Sequence, residues 1–415
     1  MSESTVTCKK RRSKEYKQYI LDVIKDYNTN GKITVLLTCD TYLPVVDGVV
    51  NVVDNYAKEL SKLMNVMLLV PDCKGNVYMD GAPAIGIMSS YSKKLQYQVP
   101  LPMLSSDCKR YLNKLRIDLI HCHSPFTVGR VAMKLHKQRD IPLITTFHSL
   151  YKYDFQKYAS PFVNFMLKYI VKCYDCSNEV WTMNNECVNV LHEYGYHGKT
   201  FIIPNGIDSR PLPNYEEVRR VTRAKYVNDD NKLLFVFVGR LVAPKNIHFI
   251  VDVLANLKEK GLDFKMLFVG DGPERQQLEK HIATSKLNDN VAVIGSVRDT
   301  NLLNCIYAAS DLMLFPSYYD TFALVKVEAA SQNTPTAFIE NCPACSDITN
   351  GVNGFIFPHD VEKFADGIYQ AVQNRDKLRE IGTNAKRDLY VTWEDIISKV
   401  YCRYNEVIQN SKNKQ

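Results

Sequence analysis

The sequence predicts an α/β chain of two doubly wound domains facing a central cleft. Three observations lead there. Short apolar runs alternate with amphipathic segments along almost the whole chain, the alternation restarts near Asn205, and the apolar runs end in small or polar residues. Open parallel sheets bind ligands beyond the carboxyl ends of their strands, so the third observation also locates the chemistry.

The first strand is "KITVLLTCD", followed by the helix "VNVVDNYAKELSKL". "NVMLLVPD", "DLIHCHSP" and "PLITTFHS" read as further strands, with "VGRVAMKLHKQRD" as a helix among them. After "KTFIIPNGID" the rhythm begins again with "KLLFVFVGR", the helix "NIHFIVDVLANLKEK", "FKMLFVGDGPE", the helix "RQQLEKHIATS" and "VAVIGSV". In the first of these helices Ile247, Ile250, Val253, Leu254 and Leu257 share one face. "DLMLFPS", a helix opening near Thr321, "TPTAFIE" and "GFIFPHD" complete the second set. We therefore divide the chain into a basic N-terminal tail or helix (1–30), a first Rossmann-like domain (31–205), a second Rossmann-like domain (206–390) and a C-terminal helix (391–415) crossing back to the first domain. No short-period repeat or low-complexity segment interrupts this plan.

Composition narrows the class. Of 415 residues, 46% are apolar and 23% charged, which suits a globular chain and not a disordered one. No apolar run approaches the ~18 residues of a spanning helix. "MSESTVTCKKRRSKEYK" lacks the apolar stretch of a secretory signal, so the expected location is cytoplasmic, with peripheral attachment to the inner face of a membrane as an extension. Twelve cysteines are scattered through apolar segments. The pairs Cys173/Cys176 and Cys342/Cys345 have Cys-x-x-Cys spacing but fall in different domains, and buried thiols are the expectation rather than zinc. The net charge of +7 is concentrated in a head (Lys9, Lys10, Arg11, Arg12, Lys14, Lys17) and a second group (Lys93, Lys94, Lys109, Arg110, Lys114, Arg116) interleaved with Tyr91, Tyr97 and Tyr111. Such groups bind anionic lipid or nucleic acid, or form a solvated face. Nucleic acid, resting on composition alone, is not the expected partner.

The strand ends of the second half carry the chemistry. Gly239 and Arg240 end one strand, with Lys245 following before a helix; Gly270, Asp271 and Gly272 end the next, and Gly295 another. Small residues and two cations on adjacent strand ends suit a diphosphate, though a solvated loop pair accounts equally well for Arg240 and Lys245 taken alone. A helix beginning near Thr321 would point the amides of Phe322, Ala323 and Leu324 at an anion. Asp320 and Glu328 are eight residues apart, about 12 Å if helical, the span from a sugar past its diphosphate to a ribose. Helix capping by Asp320 and a surface or core-pairing role for Glu328 are the structural alternatives.

"DTYLPVVDGVVNVV", "DLIHCHSPFTVGRVA", "PLITTFHS", "IIPNGID", "VGRLVAPKN", "VGDGPE", "FPSYYDTFALVKVEA" and "NGVNGFIFP" occur in an order that resembles the retaining GT-B glycosyltransferases of family 4, from about Lys32 onward. The resemblance implies a hexosyltransferase using a nucleotide diphosphate sugar as co-substrate, with no cofactor and no required metal. It is nearest to glucosyl- and mannosyltransferases acting on diacylglycerol or other lipid acceptors, and UDP-glucose and GDP-mannose are the donor types. In this light Arg240 and Lys245 resemble the pair that neutralises the donor diphosphate, Glu328 the acid on the ribose, and Asp320 the first acid of a Glu-seven residues-Glu signature. Phe322, Ala323, Leu324 and Val325 would give amides to sugar and phosphate. Gly48 resembles the loop glycine that passes donor and acceptor, and His148 the histidine facing the reacting sugar. Asp47, His123 and Tyr151 are acceptor-side candidates; for His123 and His121, packing at a strand end is the stronger reading.

Three residues depart from the family pattern. Asp47 stands where many members have glycine, Asp320 is one methylene shorter than glutamate, and Ala323 stands where glycine is common. These bear on which sugar is bound. The stretch from Tyr151 to Tyr174 mixes lysines with Phe155, Phe162, Phe165, Met166 and Ile170, so it reads either as a membrane-facing segment presenting a lipid or glycan acceptor or as a core helix with ordinary lysines. A non-catalytic nucleotide-sugar or membrane-surface binder on the same scaffold is the alternative to an enzyme.

Overall fold

The computed structural model describes residues 14–43, 45, 47–72, 82–92, 97–158, 160–227 and 232–413. The chain forms two compact units, residues 1–205 with 393–415, and residues 206–392. Both are α/β units built on a parallel sheet. Lys9, Lys10, Arg11, Arg12, Lys93 and Lys94 of the two basic groups lie outside the described residues.

In the first unit the elements run α1 (Lys14–Thr29), β1 (Thr34–Thr38), α2 (Gly48–Leu60), β2 (Asn65–Pro71), β3 (Ala84–Ile87), β4 (Ser89–Ser92), β5 (Tyr97–Pro100), α3 (Ser106–Lys114), β6 (Leu119–Cys122), α4 (Thr127–Arg139), β7 (Leu143–Thr146), α5 (Tyr151–Tyr158), α6 (Val163–Asp175), β8 (Glu179–Thr182), α7 (Asn185–Tyr194) and β9 (Thr200–Ile202). Seven strands form one sheet in the order β3-β2-β1-β6-β7-β8-β9, and β4 and β5 make a separate antiparallel pair. The second unit comprises α8 (Tyr215–Arg223), β10 (Leu233–Val238), α9 (Ile247–Glu259), β11 (Phe264–Val269), α10 (Arg275–Thr284), β12 (Val291–Gly295), α11 (Thr300–Ala309), β13 (Leu312–Leu314), α12 (Leu324–Ser331), β14 (Thr336–Ile339), β15 (Phe355–Phe357), α13 (Val361–Val372) and α14 (Arg375–Leu389). Its sheet has the order β12-β11-β10-β13-β14-β15, and the chain ends in α15 (Trp393–Lys412).

Continuous apolar runs give strands buried on both faces, as crossover helices require. All six residues of β10 are buried, and Phe237 packs against Phe268 of β11 and against Phe315 just beyond β13, with ring centroids 5.7 and 5.9 Å apart. Helix starts are punctuated as their sequences demand. Asp47, Asn184, Asp299, Asp360 and Asn374 each accept a hydrogen bond from an amide in the first turn of the helix that follows. In each sheet the chain works outward from a central strand in one direction and then in the other, so a crevice opens between β1 and β6 and another between β10 and β13.

Part of the basic head is helical rather than a tail. In α1 Tyr16, Ile20 and Ile24 are buried, and Lys17 pairs with Asp107 of α3 at 2.7 Å. At the other end, α15 seals the first unit, burying Trp393, Ile396, Ile397, Val400 and Tyr404. Each large apolar side chain so buried contributes about 1.5–3 kcal/mol. Trp181 of β8 stacks on Tyr404 at 5.5 Å, and Glu179, almost fully buried, accepts hydrogen bonds from Arg403 and from Lys199.

Burial alone would raise the Glu179 carboxyl, but hydrogen bonds from Arg403, Lys199 and Trp181 outweigh it and hold the pKa below the usual carboxylate value. Its stabilisation is therefore present above the unfolded value of about 4.3 and is lost as pH falls through the lower folded value. Glu179→Ala, which leaves Arg403 without its main acceptor, is expected to cost about 2–3 kcal/mol in urea unfolding at pH 7. The gap from wild type should narrow below about pH 4.

Candidate active site

The crevice of the second sheet lies where the loops after β10 and β13 meet. The first loop carries Gly239, Arg240 and a single 3-10 turn, Ala243–Lys245; the second runs from Phe315 to Ala323. Two side-chain bonds stitch them together: Asn246 donates to the Pro316 carbonyl at 3.3 Å and Ser317 to the Pro244 carbonyl at 3.2 Å. Across the same gap the Lys245 ammonium reaches both carboxylate oxygens of Asp320, at 2.7 and 2.8 Å, and sits 4.9 Å from the centre of the Phe315 ring. The cation expected at a diphosphate and the acid expected at a sugar are thus bonded to one another. Arg240, in the same loop as Lys245, is exposed.

Helix α12 starts at Leu324, three residues later than the sequence pattern indicates. The cause is Ala323, which takes a left-handed conformation (φ 58°, ψ 81°). That conformation is unfavourable for any residue with a Cβ and fits the glycine common in the family. Asp320 to Ala323 are therefore not helical, and only Leu324 to Glu328 advances with helical rise, about 6 Å. The amides at the helix start belong to Leu324 and Val325, since the Lys326 amide already bonds to the Ala323 carbonyl at 2.9 Å. Phe322 is buried beneath the helix rather than part of it.

Two anchors hold this helix. Lys326 is fully buried; its ammonium donates to the Ala344 carbonyl at 2.7 Å and to Asp347 at 2.5 Å, and lies over the Phe322 ring. Glu328 accepts a hydrogen bond from Tyr307 of α11 at 2.9 Å. Burial raises the Glu328 carboxyl above its usual value, and the Tyr307 hydrogen bond offsets this only in part.

The glycines at the strand ends have a packing reason. A Cβ at Gly270 would lie 1.9 Å from the Gly239 carbonyl oxygen, and one at Gly272 would lie 2.3 Å from that of Leu241. The loops after β10 and β11 are pressed together there, whatever else the glycines contact. Gly295 ends β12 with a φ of 78°.

In the first unit Asp47 caps α2 by accepting from the Val50 amide at 2.8 Å, and Gly48 is the first helical residue, with open space where a Cβ would be. His148 follows β7 and is joined to His123, after β6, by a 3.0 Å contact between His148 Nε2 and His123 Nδ1. Next to them His121 bonds to Thr146 at 2.6 Å and to Tyr404 of α15 at 2.5 Å. Burial pushes His148 down to about 3 and drives His121 and His123 well below the ordinary histidine value, so all three are neutral at pH 7. His123 Nε2 is buried with no hydrogen-bond partner among the described residues.

Tyr151 departs from its expected place at the acceptor. It is in the core, packed against Phe126 and Phe147, because α5 turns this face inward. Cys173, Cys342 and Cys345 are likewise buried, and among the described residues no group of three His, Cys, Asp or Glu side chains is placed to hold a metal.

Sequence reasoning overlooked Tyr307, Lys326 and Asp40. Lys326 had a signal, a single cation inside the apolar run "LVKVEAA". Asp40, at the end of β1, is buried and accepts from the Val128 amide at 2.8 Å; burial raises it to about 7, with the amides at the start of α4 opposing. Nothing local distinguishes Tyr307.

A carboxyl raised by burial costs stability when ionised, fully so above its folded pKa, and that cost disappears as pH falls through this value. Glu328→Gln is therefore expected to unfold at the same or a higher temperature than wild type at pH 7. The difference should shrink as pH is lowered toward 4, as read by thermal melts across pH.

Two family models match the chain: "Glycosyltransferase Family 4" over residues 46–210 and "Glycosyl transferases group 1" over residues 218–388. Alpha-monoglucosyldiacylglycerol synthase of Acholeplasma laidlawii is 22% identical over 384 residues, covering 89% of this chain and 94% of that protein. Among solved structures, sucrose-phosphate synthase from Thermosynechococcus elongatus superposes with a TM-score of 0.74 at 19% identity, over 91% of this chain and all of that one (100%). HepE of Anabaena, in complex with UDP and glucose, gives 0.69 at 18% identity, over 90% of this chain and 99% of its own. The two family matches follow one another and together take in most of the chain, which is a glycosyltransferase of GT-B fold with a Glycosyltransferase Family 4 domain followed by a group 1 glycosyl transferase domain.

Proposed function

We propose that this enzyme moves a hexose from a nucleotide diphosphate sugar to a hydroxyl of a lipid or lipid-linked acceptor, with retention at the anomeric carbon. The Lys245–Asp320 pair across the crevice of the second sheet carries this reading, with the amides of Leu324 and Val325 and the acid Glu328 on the adjoining helix. Arg240, Lys245 and the helix start supply positive charge to a diphosphate. Glu328 offers the ribose a carboxylate that Tyr307 already orients. Asp320, held by Lys245, accepts from a sugar hydroxyl. The complex of HepE with UDP and glucose supports a donor of this class.

In the reaction the acceptor oxygen attacks the anomeric carbon from the face the diphosphate leaves. The bond from that carbon to the diphosphate oxygen breaks, and the acceptor proton passes to the departing diphosphate. The protein's contribution is to stabilise charge on the leaving group. His148, neutral at pH 7, acts as a hydrogen-bonding group toward the sugar rather than as a cation.

Membrane attachment is supported by exposed apolar side chains in the first unit. Phe162 and Phe165 are 62% and 67% exposed, and Met103 89%. Helix α4 touches both segments that carry them, and Lys109, Arg110 and Lys168 are exposed nearby in sequence. Over the rest of its length α6 faces the core through Leu167, Ile170, Val171 and Tyr174. The core-facing reading of this stretch describes that face, and the membrane-facing reading is supported by the exposed Phe162 and Phe165. No described helix is long and apolar enough to cross a membrane. The diacylglycerol named in the Acholeplasma relative supports a lipid as the acceptor.

Purified enzyme given UDP-glucose or GDP-mannose with diacylglycerol vesicles is expected to form one glycolipid whose NMR spectrum shows the donor's anomeric configuration. Lys245→Ala should lower kcat by about 100-fold. An inverted product, or no transfer from any nucleotide sugar to lipid or glycan hydroxyls, overturns the proposal. For attachment, Phe162→Ser with Phe165→Ser should reduce co-sedimentation with phosphatidylglycerol vesicles by at least about tenfold. Donor hydrolysis without vesicles should be unchanged.

A further inference from the structure

At the carboxyl ends of β6 and β7 in the first unit, two histidines meet in a way that ties the proton of one to the proton of the other. His123 follows β6 and His148 follows β7, and both are buried. His123 Nδ1 lies 3.0 Å from His148 Nε2. The ring centres are 5.2 Å apart and the ring planes are 21° from parallel. The centres are thus farther apart than the nitrogens by no more than the two ring radii. Both nitrogens therefore lie close to the line joining the centres, and the rings meet edge to edge. That is the geometry of a straight N–H···N hydrogen bond.

Both rings are neutral at pH 7, so each carries one proton, and the two facing nitrogens hold one between them. Two arrangements satisfy this. In the first, His148 Nε2–H donates to a bare His123 Nδ1, which puts the His123 proton on Nε2. In the second, His123 Nδ1–H donates to a bare His148 Nε2, which puts the His148 proton on Nδ1. The far nitrogen of His123 separates them. It is buried with no hydrogen-bond partner among the described residues, and the rings of His121 and Tyr56 pack on this imidazole with centres 4.1 and 5.3 Å away. The first arrangement strands an N–H there and the second strands only a lone pair. Folded chains leave buried N–H groups without acceptors more rarely than they leave acceptors without donors, which favours the second. His121 stands outside this pair, because its own two nitrogens are taken by Tyr404 and Thr146.

We infer that His123 is a positioning residue: it donates from Nδ1 to His148 Nε2 and so holds His148 as the Nδ1–H tautomer, a hydrogen-bond donor toward the transferred sugar. The contact with the sugar rests on the glycosyl-transfer reading above, whereas the tautomer rests on the two rings alone. With Nε2 engaged by His123, Nδ1 is the only other polar atom of the His148 ring. A neutral imidazole in this form donates to a sugar oxygen and has no bare nitrogen left to take the acceptor's proton. That proton is left to the departing diphosphate.

The test is NMR of the full chain carrying isotopically labelled histidine, without substrate at pH 7, reading which ring nitrogens bear protons. The signals are assigned by their loss in His123→Asn and in His148→Phe. Both histidines are expected to be protonated at Nδ1 and bare at Nε2. The reverse pattern, an average of the two, or two protons on either ring overturns the proposal. His148 should keep its tautomer in His123→Asn, whose amide nitrogen takes the place of Nδ1, and should lose it in His123→Leu; an unchanged His148 pattern in the folded leucine variant overturns the positioning. In transfer assays kcat/KM should fall about tenfold in His123→Leu, as for one lost hydrogen bond, and recover in His123→Asn. With His148→Phe already in place, His123→Leu should have no further effect. A fall of the same size in that background, with melting temperatures showing both variants folded, assigns His123 a merely structural role and overturns the inference. The spectrum is read without a donor, so it decides the tautomer whether or not a sugar is transferred, and its failure is distinct from failure of the proposed function.

Discussion

The ion pair between Lys245 and Asp320 is the interaction on which the crevice of the second unit is arranged. It bridges the loops after β10 and β13, the two strands between which the sheet changes direction. A lysine and a carboxylate placed there attract each other across the crevice, and the Asn246–Pro316 and Ser317–Pro244 bonds hold the flanking backbone in register. Each charge offsets the other, so that neither the cation nor the acid stands in the crevice without a counter-charge. The short side chain of Asp320 suits this bridging, which gives its departure from the family's glutamate a physical reading beyond sugar choice.

The neighbouring helix is assembled at some cost. Ala323 takes a backbone conformation that its Cβ disfavours, Lys326 is fully buried and needs both Ala344 and Asp347, and Glu328 is raised by burial with one tyrosine to orient it. Such features persist where the surrounding structure over-determines them, and they cluster at sites that must be pre-shaped. The first unit follows a different principle. Its three histidines are buried and neutral, and a bond from His121 to Tyr404 ties them to the last helix. Geometry at His148 therefore depends on residues more than two hundred positions away, carried by α15 and the Glu179–Arg403 pair.

The second sheet has unlike edges. At its carboxyl edge cation and acid are balanced by Lys245 with Asp320, and Arg240 of the same loop is exposed. At its amino edge Arg219, Arg223 and Arg375 converge on Asp311. Helix dipoles act at both edges, because α12 starts at one and α8 and α14 at the other.

The sequence by itself determined the α/β class, because strand and helix periods are local properties and apolar runs such as "LLFVFV" leave only a doubly covered strand. It also marked the loops that hold Arg240, Lys245 and Asp320, with Glu328 on the helix that follows, since glycines and charges after apolar runs are strand-end chemistry wherever the strands lie. Tertiary structure alone decided what each of those groups faces. Whether Asp320 meets Lys245, whether Glu328 meets Tyr307, and whether Tyr151 looks outward or into the core depend on strand order and helix rotation, which no local pattern encodes. The late start of α12 has the same origin. Thr321 to Ala323 are compatible with a helix by type, yet Ala323 takes a left-handed turn and the Asp320 carbonyl is bonded to the Ala344 amide. Arginines far apart in the chain became a cluster for that reason too: α8, the start of β13 and α14 meet only when the sheet is built.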